Sequence, residues 1–550
     1  MVSAQGSQAS IAKLAKEYFD FLGRTFPVMC SSDEFHWLPR AEASSAFPDQ
    51  LEDLSSQSVA GVCSTIRSVA DDLSRLPEGD CPEADMDREM LLASCQGLLI
   101  ELEEQPSWRS SPQLYLSIVF LGLDQALNGP LPEGADRTDC MRSRISQASR
   151  LLGQARANLD RIPESHCTAA ISMVRDCRAF LRELGGSSGR GRPTLFQKDL
   201  EALDCQLDSF AGFLHSTTPV SNQSLGAGSL ERTLRDHFRC RGSLEDIGQL
   251  AEAERRDALL SLATLQKRLD PSRTWLELVR SPLPGEEPLH HSWTVYKREV
   301  ESLQGFFSGS VFEVDSKEAP LRLARTPTYL KSLRSSASFS SALHAGQPSC
   351  FFLELDTRAE PSNGSLLPAK SSMNRESPFL TAHETIPGHH CLDANRRRLM
   401  NPVRRQIESP LFYEGWATYA ESLLLERGYL HGPLNLLVHE KRRLWRAVRC
   451  LIDLRGHTGE LDREQSADLL FEAGFSREAA LRQVDRYRLK PGYQLCYTLG
   501  CHELRKLKNS YARRLGEDGF HSSVLGSGQL PFDLLEKRLA SMTSEKTLDD

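Results

Sequence analysis

The sequence predicts a mainly α-helical protein with a small β-sheet, on three observations. Apolar residues recur every three or four positions through most of the chain, breaks rich in Gly and Pro separate these segments, and strand-like runs are few. Over 141–160, Met141, Ile145, Ala148, Leu152, Ala155 and Leu159 make one apolar stripe. QLAEAERRDALLSLATLQKRL (249–269) has one polar and one apolar face, as a surface helix should. The strand signals are FFLEL (351–355) and SVFEV (310–314). No unit repeats with a period of about 20–50 residues.

The 550 residues suffice for two to four domains or one large two-lobed enzyme. Breaks fall at GGSSGRGRP (185–193), HSTTPVSNQSLGAGS (215–229) and TRAEPSNGSLLPAKSSMNRE (357–376). The second sets the expected division: an N-terminal helical lobe over 1–215 and a catalytic, metal-binding helical lobe over 230–550, which can pack as one two-lobed unit. Composition is that of a soluble globular chain, 40% hydrophobic and 25% charged. A net charge of −8 and no dense Lys/Arg block argue against a nucleic-acid partner. The N-terminal stretch has no apolar signal core, and no run of 18 apolar residues offers a membrane span. The 14 cysteines are scattered without a C-x-x-C pair, which points to free thiols in a reducing cytoplasm. A homo-oligomer is compatible with all of this.

The chemistry concentrates in TAHETIPGHH (381–390). In H-E-x-x-H, about 100° per residue puts i and i+4 on one face, so both imidazoles reach one Zn²⁺ and the glutamate activates water. Here i+4 from His383 is Pro387, which breaks a helix, followed by Gly388. In an unbroken helix His389 sits ~240° round from His383, and His390 shares its face but lies about 10 Å further along. Neither then joins His383 on one metal. With two residues looped out, His389 takes the usual place. The plain alternative is a helix start with surface histidines.

A third ligand is needed, with an open position for water. LFYEGWATYAESLLL (411–425) offers Glu414, Thr418 and Glu421 at i, i+4, i+7 beside an apolar face of Trp416, Tyr419, Ala420, Leu423 and Leu424. Glutamates usually mark a solvated face, but carboxylates among so many apolar and aromatic residues need a partner, and a metal is one.

Four ordered motifs carry a resemblance: HETIPGHH (383–390), EGWATYAE (414–421), RAVRCLIDLRGH (446–457) and DRYRLKPGYQLCYTLG (485–500). On these the chain resembles a widespread bacterial family labelled a domain of unknown function, closely over about 375–510 and weakly through 326–342. That family is similar to the gluzincin metallopeptidases, whose zinc is held by two His and a Glu. The resemblance implies a two-lobed helical gluzincin-like fold with the small sheet beside the active-site cleft. It also implies a Glu ligand about 25 residues after the second His, which selects His389 over His390 as the partner of Glu414. FFLEL is similar to the edge strand that in such peptidases pairs with extended substrate.

The implied roles follow. His383, His389 and Glu414 hold Zn²⁺, although two His and a Glu also suit manganese or cobalt. Glu384 is the general base that passes a proton from water to the leaving amine. Tyr497 is the oxyanion donor or a core residue. His390 stands behind the ligands or replaces one. Glu421 orients a ligand imidazole or forms a simple ion pair. Arg486 and Tyr487 bind substrate, and Asp453 and His457 line the pocket or form a buried polar network. Two departures from the family pattern stand out: Tyr493, where the family has Gln, and Arg455, an added cation expected near the pocket.

The expected function is zinc-dependent hydrolysis of a peptide or amide bond in a small substrate. A second reading keeps the metal but takes a non-peptide amide or conjugated metabolite, motivated by Tyr493 and Arg455. A third, a metal-free binding protein, is disfavoured by the intact ligand set.

Overall fold

In the computed structural model, which describes residues 2–549 apart from 78, 80, 187–196, 222–224, 281–292, 335–336 and 355–374, helix follows helix. The N-terminal half holds α1 (Val2–Thr25), α2 (Pro82–Leu99), α3 (Pro112–Asn128), α4 (Arg137–Asn158), α5 (Glu164–Gly186) and α6 (Gln197–Ser216). The sequence of α3, PQLYLSIVFLGLDQALN, is apolar nearly all round, and the helix is buried accordingly, with α4 and α5 packed on it. On α4 the expected stripe is the buried face: Met141, Ile145, Ala148, Leu152 and Ala155, with Leu159 just beyond the helix end. After α2 the chain turns through a π-helical stretch, Ile100–Glu104. The segment 249–269 lies within α7 (Leu244–Leu269), which Ser243 and Asp246 start with a reciprocal capping box.

Three strands follow: β1 (Leu321–Arg325), β2 (Ala337–Ser340) and β3 (Ser349–Leu353), in the order β1-β3-β2. β3 pairs parallel with β1 and antiparallel with β2. This corrects one expectation. FFLEL enters β3, the central strand, so both its hydrogen-bonding sides are taken and substrate cannot pair with it; among the described residues the open edges belong to β1 and β2. SVFEV is not a strand either. The chain turns there, with Ser310 N–H donating to Phe307 O (3.2 Å) and Glu313 N–H to Ser310 O (3.1 Å), because Phe312 is drawn into an aromatic cluster with Phe307, Trp416 and His521.

The C-terminal half supplies α8 (Ser377–Glu384), α9 (His389–Arg397), α10 (Pro410–Glu426), α11 (Gly432–Thr458), α12 (Arg477–Tyr487) and α13 (Leu495–Leu515). Proline in the first turn starts α8, α10 and α11. α7 lies along α11, and α10 crosses α13 in backbone contact. At the crossing, a Cβ on Gly500 would stand 2.1 Å from Leu411 O, and one on Gly415 2.5 Å from Gly500 Cα. These two glycines therefore let Glu414 approach the start of α13.

One apolar cluster runs from Ile11 to Leu539 through both halves. Within 215–229 the helices stop at Ser216 and resume at Ala227. The connections expected at 185–193 and 357–376 lie largely outside the described residues. Among the described residues no helix is long and apolar enough to cross a membrane.

Candidate metal centre

The HETIPGHH segment folds as a helix with two residues inserted. Thr385 N–H still reaches four residues back, to Thr381 O (2.8 Å), but Gly388 N–H bonds Ala382 O (2.9 Å) and Cys391 N–H bonds Thr385 O (3.2 Å), each six back. Regular i→i−4 bonding resumes with Leu392 and Gly388. His389 thus takes the position an unbroken helix gives to i+4. The Ile386–Pro387 peptide is cis, and Trp416 of α10 donates its indole N–H to Pro387 O (2.9 Å). Gly388 is required here: a Cβ would stand 2.0 Å from His383 O and 2.3 Å from Ala382 O.

The looped insertion brings three buried donors together. Oε2 of Glu414 is 3.4 Å from Nε2 of His383 and 3.6 Å from Nε2 of His389. That oxygen is buried without a hydrogen-bond partner. Ligand atoms about 2.0–2.1 Å from one tetrahedral ion stand roughly 3.3–3.4 Å apart, so the set fits a divalent cation such as zinc. Among the described residues it is the group of three able to hold a metal. Burial alone would raise the Glu414 carboxyl, but the two imidazoles hold it well below the usual carboxylate range. Burial would lower His383, but Glu414 and Glu421 lift it to about 9.

A supporting shell fixes these groups. Nδ1 of His383 lies 2.9 Å from Oε1 of Glu421. Arg442 grips Glu421 with Nε (2.6 Å) and Nη2 (3.0 Å), and Arg446 donates to the same carboxylate. Glu421 therefore both meets the His383 imidazole and is ion-paired to two arginines. His389 is stacked on Tyr413, ring centroids 3.9 Å apart, and lies near-parallel to Phe339 of β2 at 6.2 Å. The other oxygen of Glu414, Oε1, accepts from the hydroxyls of Tyr497 (2.9 Å) and Tyr493. The Tyr493 departure therefore touches Glu414 directly.

His390 is buried away from this set, facing Ala319 and Asp393, and burial lowers it to about 4. Asp453 accepts N–H bonds from Gly492 (3.0 Å), Gln494 (2.7 Å) and Leu495 (3.3 Å), so it ties down the loop that carries Tyr493. His457 lies 3.5 Å from Asp453. Arg455 corrects an expectation: it turns to Glu252 of α7 (2.8 Å) rather than into the pocket, because it lies on the face of α11 packed against that helix.

The centre opens into a cavity of about 1500 Å³. Glu384 lines it beside the ligands, without a hydrogen-bond donor among the described residues, and His457, Arg486, Tyr487 and Tyr497 line it too. The N-terminal half contributes a wall that the sequence did not reveal. His36 packs on Tyr493, ring centroids 4.7 Å apart, and burial lowers it to about 3. Arg449, inside the RAVR motif, was also missed. It lies over the Tyr497 ring at 3.9 Å and over Tyr487 at 5.2 Å. Its signal was present: Arg446, Arg449 and Asp453 share a face at i, i+3, i+7.

Two solved structures share the fold. One is a candidate lipoprotein of unknown function from Shewanella oneidensis: TM-score 0.73, 17% identity, covering 96% of this chain and 100% of that one. The other is a candidate lipoprotein from Colwellia psychrerythraea: TM-score 0.73, 16% identity, covering 98% and 99%. No curated protein matches the chain. Residues 40–539 match the family described as "Bacterial protein of unknown function (DUF885)", and the chain belongs to that family.

Proposed function

We propose that this protein is a gluzincin-type, zinc-dependent hydrolase that cleaves a peptide or amide bond in a small substrate. The observation that carries the reading is the convergence of His383, His389 and Glu414 on one point beside Glu384, which no donor among the described residues meets, at the wall of a large cavity. The separation of 25 residues between His389 and Glu414 agrees with that clan. A divalent ion held there supplies Lewis acidity toward a carbonyl oxygen and makes water acidic near neutral pH. Glu384 takes a proton from water and delivers it to the leaving amine, so that one amide and one water become an acid and an amine. The Tyr497 hydroxyl stabilises negative charge developing on the carbonyl oxygen, after letting go of Glu414.

Metal analysis beside activity tests this. About one zinc per chain in the wild type, lost in His389→Ala and Glu414→Ala, is expected, with Glu384→Gln keeping the metal and losing turnover. Wild-type protein that takes up no metal on reconstitution, or amide hydrolysis that survives chelation, would defeat the reading. The Tyr493 contact with Glu414 favours a second reading of the same centre, a non-peptide amide or conjugate as substrate; broad hydrolysis of a dipeptide library would rule it out.

Residence in the cytoplasm is proposed on the 14 cysteines, all of them free thiols. The two solved relatives are described as candidate lipoproteins, and cell fractionation distinguishes the two locations.

A further inference from the structure

Most cations around the cavity are paired. Lys441 and Arg442 hold Glu376, Arg446 holds Glu421, and Arg482 holds Glu478. Arg449 gives Nε (3.1 Å) and Nη2 (2.5 Å) to Oε1 of Gln494 and is packed among the rings of Tyr497, Tyr487 and Trp445. Arg486 and Arg488 differ: both are half-buried on the cavity wall, and among the described residues no carboxylate lies within ion-pair distance of either and no acceptor meets either guanidinium. Arg486 sits in the last turn of α12, next to Tyr487, whereas Arg488 lies just beyond the helix end.

A half-buried guanidinium that no protein acceptor meets is free to take an acceptor from the cavity, and a carboxylate fits its planar fork. Burial lowers Arg486 from its ordinary value, and Arg449 repels it, against attraction from Tyr487 and, beyond ion-pair distance, from Glu354. Its place on the wall also matters. Tyr487, the next residue, lies against Arg449, Arg449 lies over Tyr497, and Tyr497 donates to the ligand Glu414. Through these contacts Arg486, rather than Arg488, shares one continuous stretch of wall with His383, His389 and Glu414.

We infer that Arg486, backed by Arg449, receives a carboxylate of the substrate, so that the cleaved bond belongs to a small acidic amide such as the C-terminal residue of a peptide or an N-acyl amino acid. The planar guanidinium fork matches a carboxylate through two parallel bonds. The carboxylates of Glu384 and Glu414 on the same wall disfavour a dianion such as phosphate. The inference deepens the hydrolase reading, which supplies the amide, but its test needs no turnover.

Zinc-reconstituted Glu384→Gln protein is titrated calorimetrically with a panel of N-acetyl amino acids and with the matching N-acetyl amino acid amides. The acids are expected to bind about tenfold or more tightly than the amides. Arg486→Met removes that difference with metal content and melting temperature unchanged, and Arg486→Lys restores part of it. Equal binding of acids and amides, no binding of either, or a difference that survives Arg486→Met overturns the inference. Failure of the hydrolase reading shows separately, as no amine released by the wild type while the acid–amide difference persists.

Discussion

Nδ1 of His383 stands 2.9 Å from a carboxylate oxygen of Glu421, seven residues along α10 from Glu414. The imidazole is thus fixed with its Nε2 toward Glu414, and the two arginines on Glu421 hold that carboxylate well below the usual range against burial. Glu421→Gln weakens the grip on His383 and leaves Arg446 buried without its carboxylate. Metal affinity is expected to fall about 10–100-fold, and stability by about 3–5 kcal/mol. Competitive zinc titration and urea unfolding read the two effects. Wild-type zinc affinity in a folded variant would show that Glu421 only stabilises the helix pair.

Gly388→Ala tests the inserted loop. The added methyl has no room against the His383 and Ala382 carbonyls, so either the loop or α8 must shift. Overpacking of this kind costs about 1–3 kcal/mol, and His389 moves with the loop. The expected result is a lower melting temperature together with lost zinc. A variant that melts like the wild type and retains metal would mean that the insertion tolerates another path.

Much of this centre was legible because its parts are local. The spacing of His383, Pro387 and His389 admits one metal only if two residues loop out, and the six-back hydrogen bonds of Gly388 and Cys391 are that loop. Glu414 and Glu421 stood out as carboxylates on an apolar helix, and both are buried against the histidines. What was hidden depends on tertiary contact. His36 reaches Tyr493 across more than 450 positions, and Phe339 reaches His389 from a four-residue strand too short to show alternation. FFLEL was recognisable as strand, but whether a strand is central or an edge depends on its neighbours, here β1 and β2. SVFEV has strand-forming residues, yet packing of Phe312 overrides the preference.

The two tyrosines on Oε1 of Glu414 should separate by mutation. Tyr497→Phe removes the proposed oxyanion donor, so kcat is expected to fall about 10²–10³-fold with little change in KM. Tyr493→Phe leaves the Tyr497 bond to Glu414 in place, and its effect on kcat is expected to be about tenfold or less. Steady-state kinetics on one amide substrate decides. Equal losses in both variants would assign the tyrosines a common structural duty on the ligand.

The N-terminal wall is pinned by charge, and that makes it sensitive to acid. Arg334 contacts Glu34 through Nε and Asp33 through Nη2 (3.2 Å), and Lys490 lies 3.6 Å from Glu34. Burial would raise the Glu34 carboxyl, but Arg334 and Lys490 bring it down to about 2. The unfolded chain titrates near 4.3, so the folded state binds fewer protons between these values. The contribution of Glu34 is full above about pH 4.3 and is lost as pH falls toward 2. A shift of this size corresponds to about 3 kcal/mol. Glu34→Gln is therefore expected to destabilise the protein by about that amount at pH 7 and by clearly less at pH 3, as measured by urea unfolding of both proteins at each pH. A difference that stays constant between the two pH values would show that Glu34 holds segment 33–37 against Tyr493 by packing rather than by its charge.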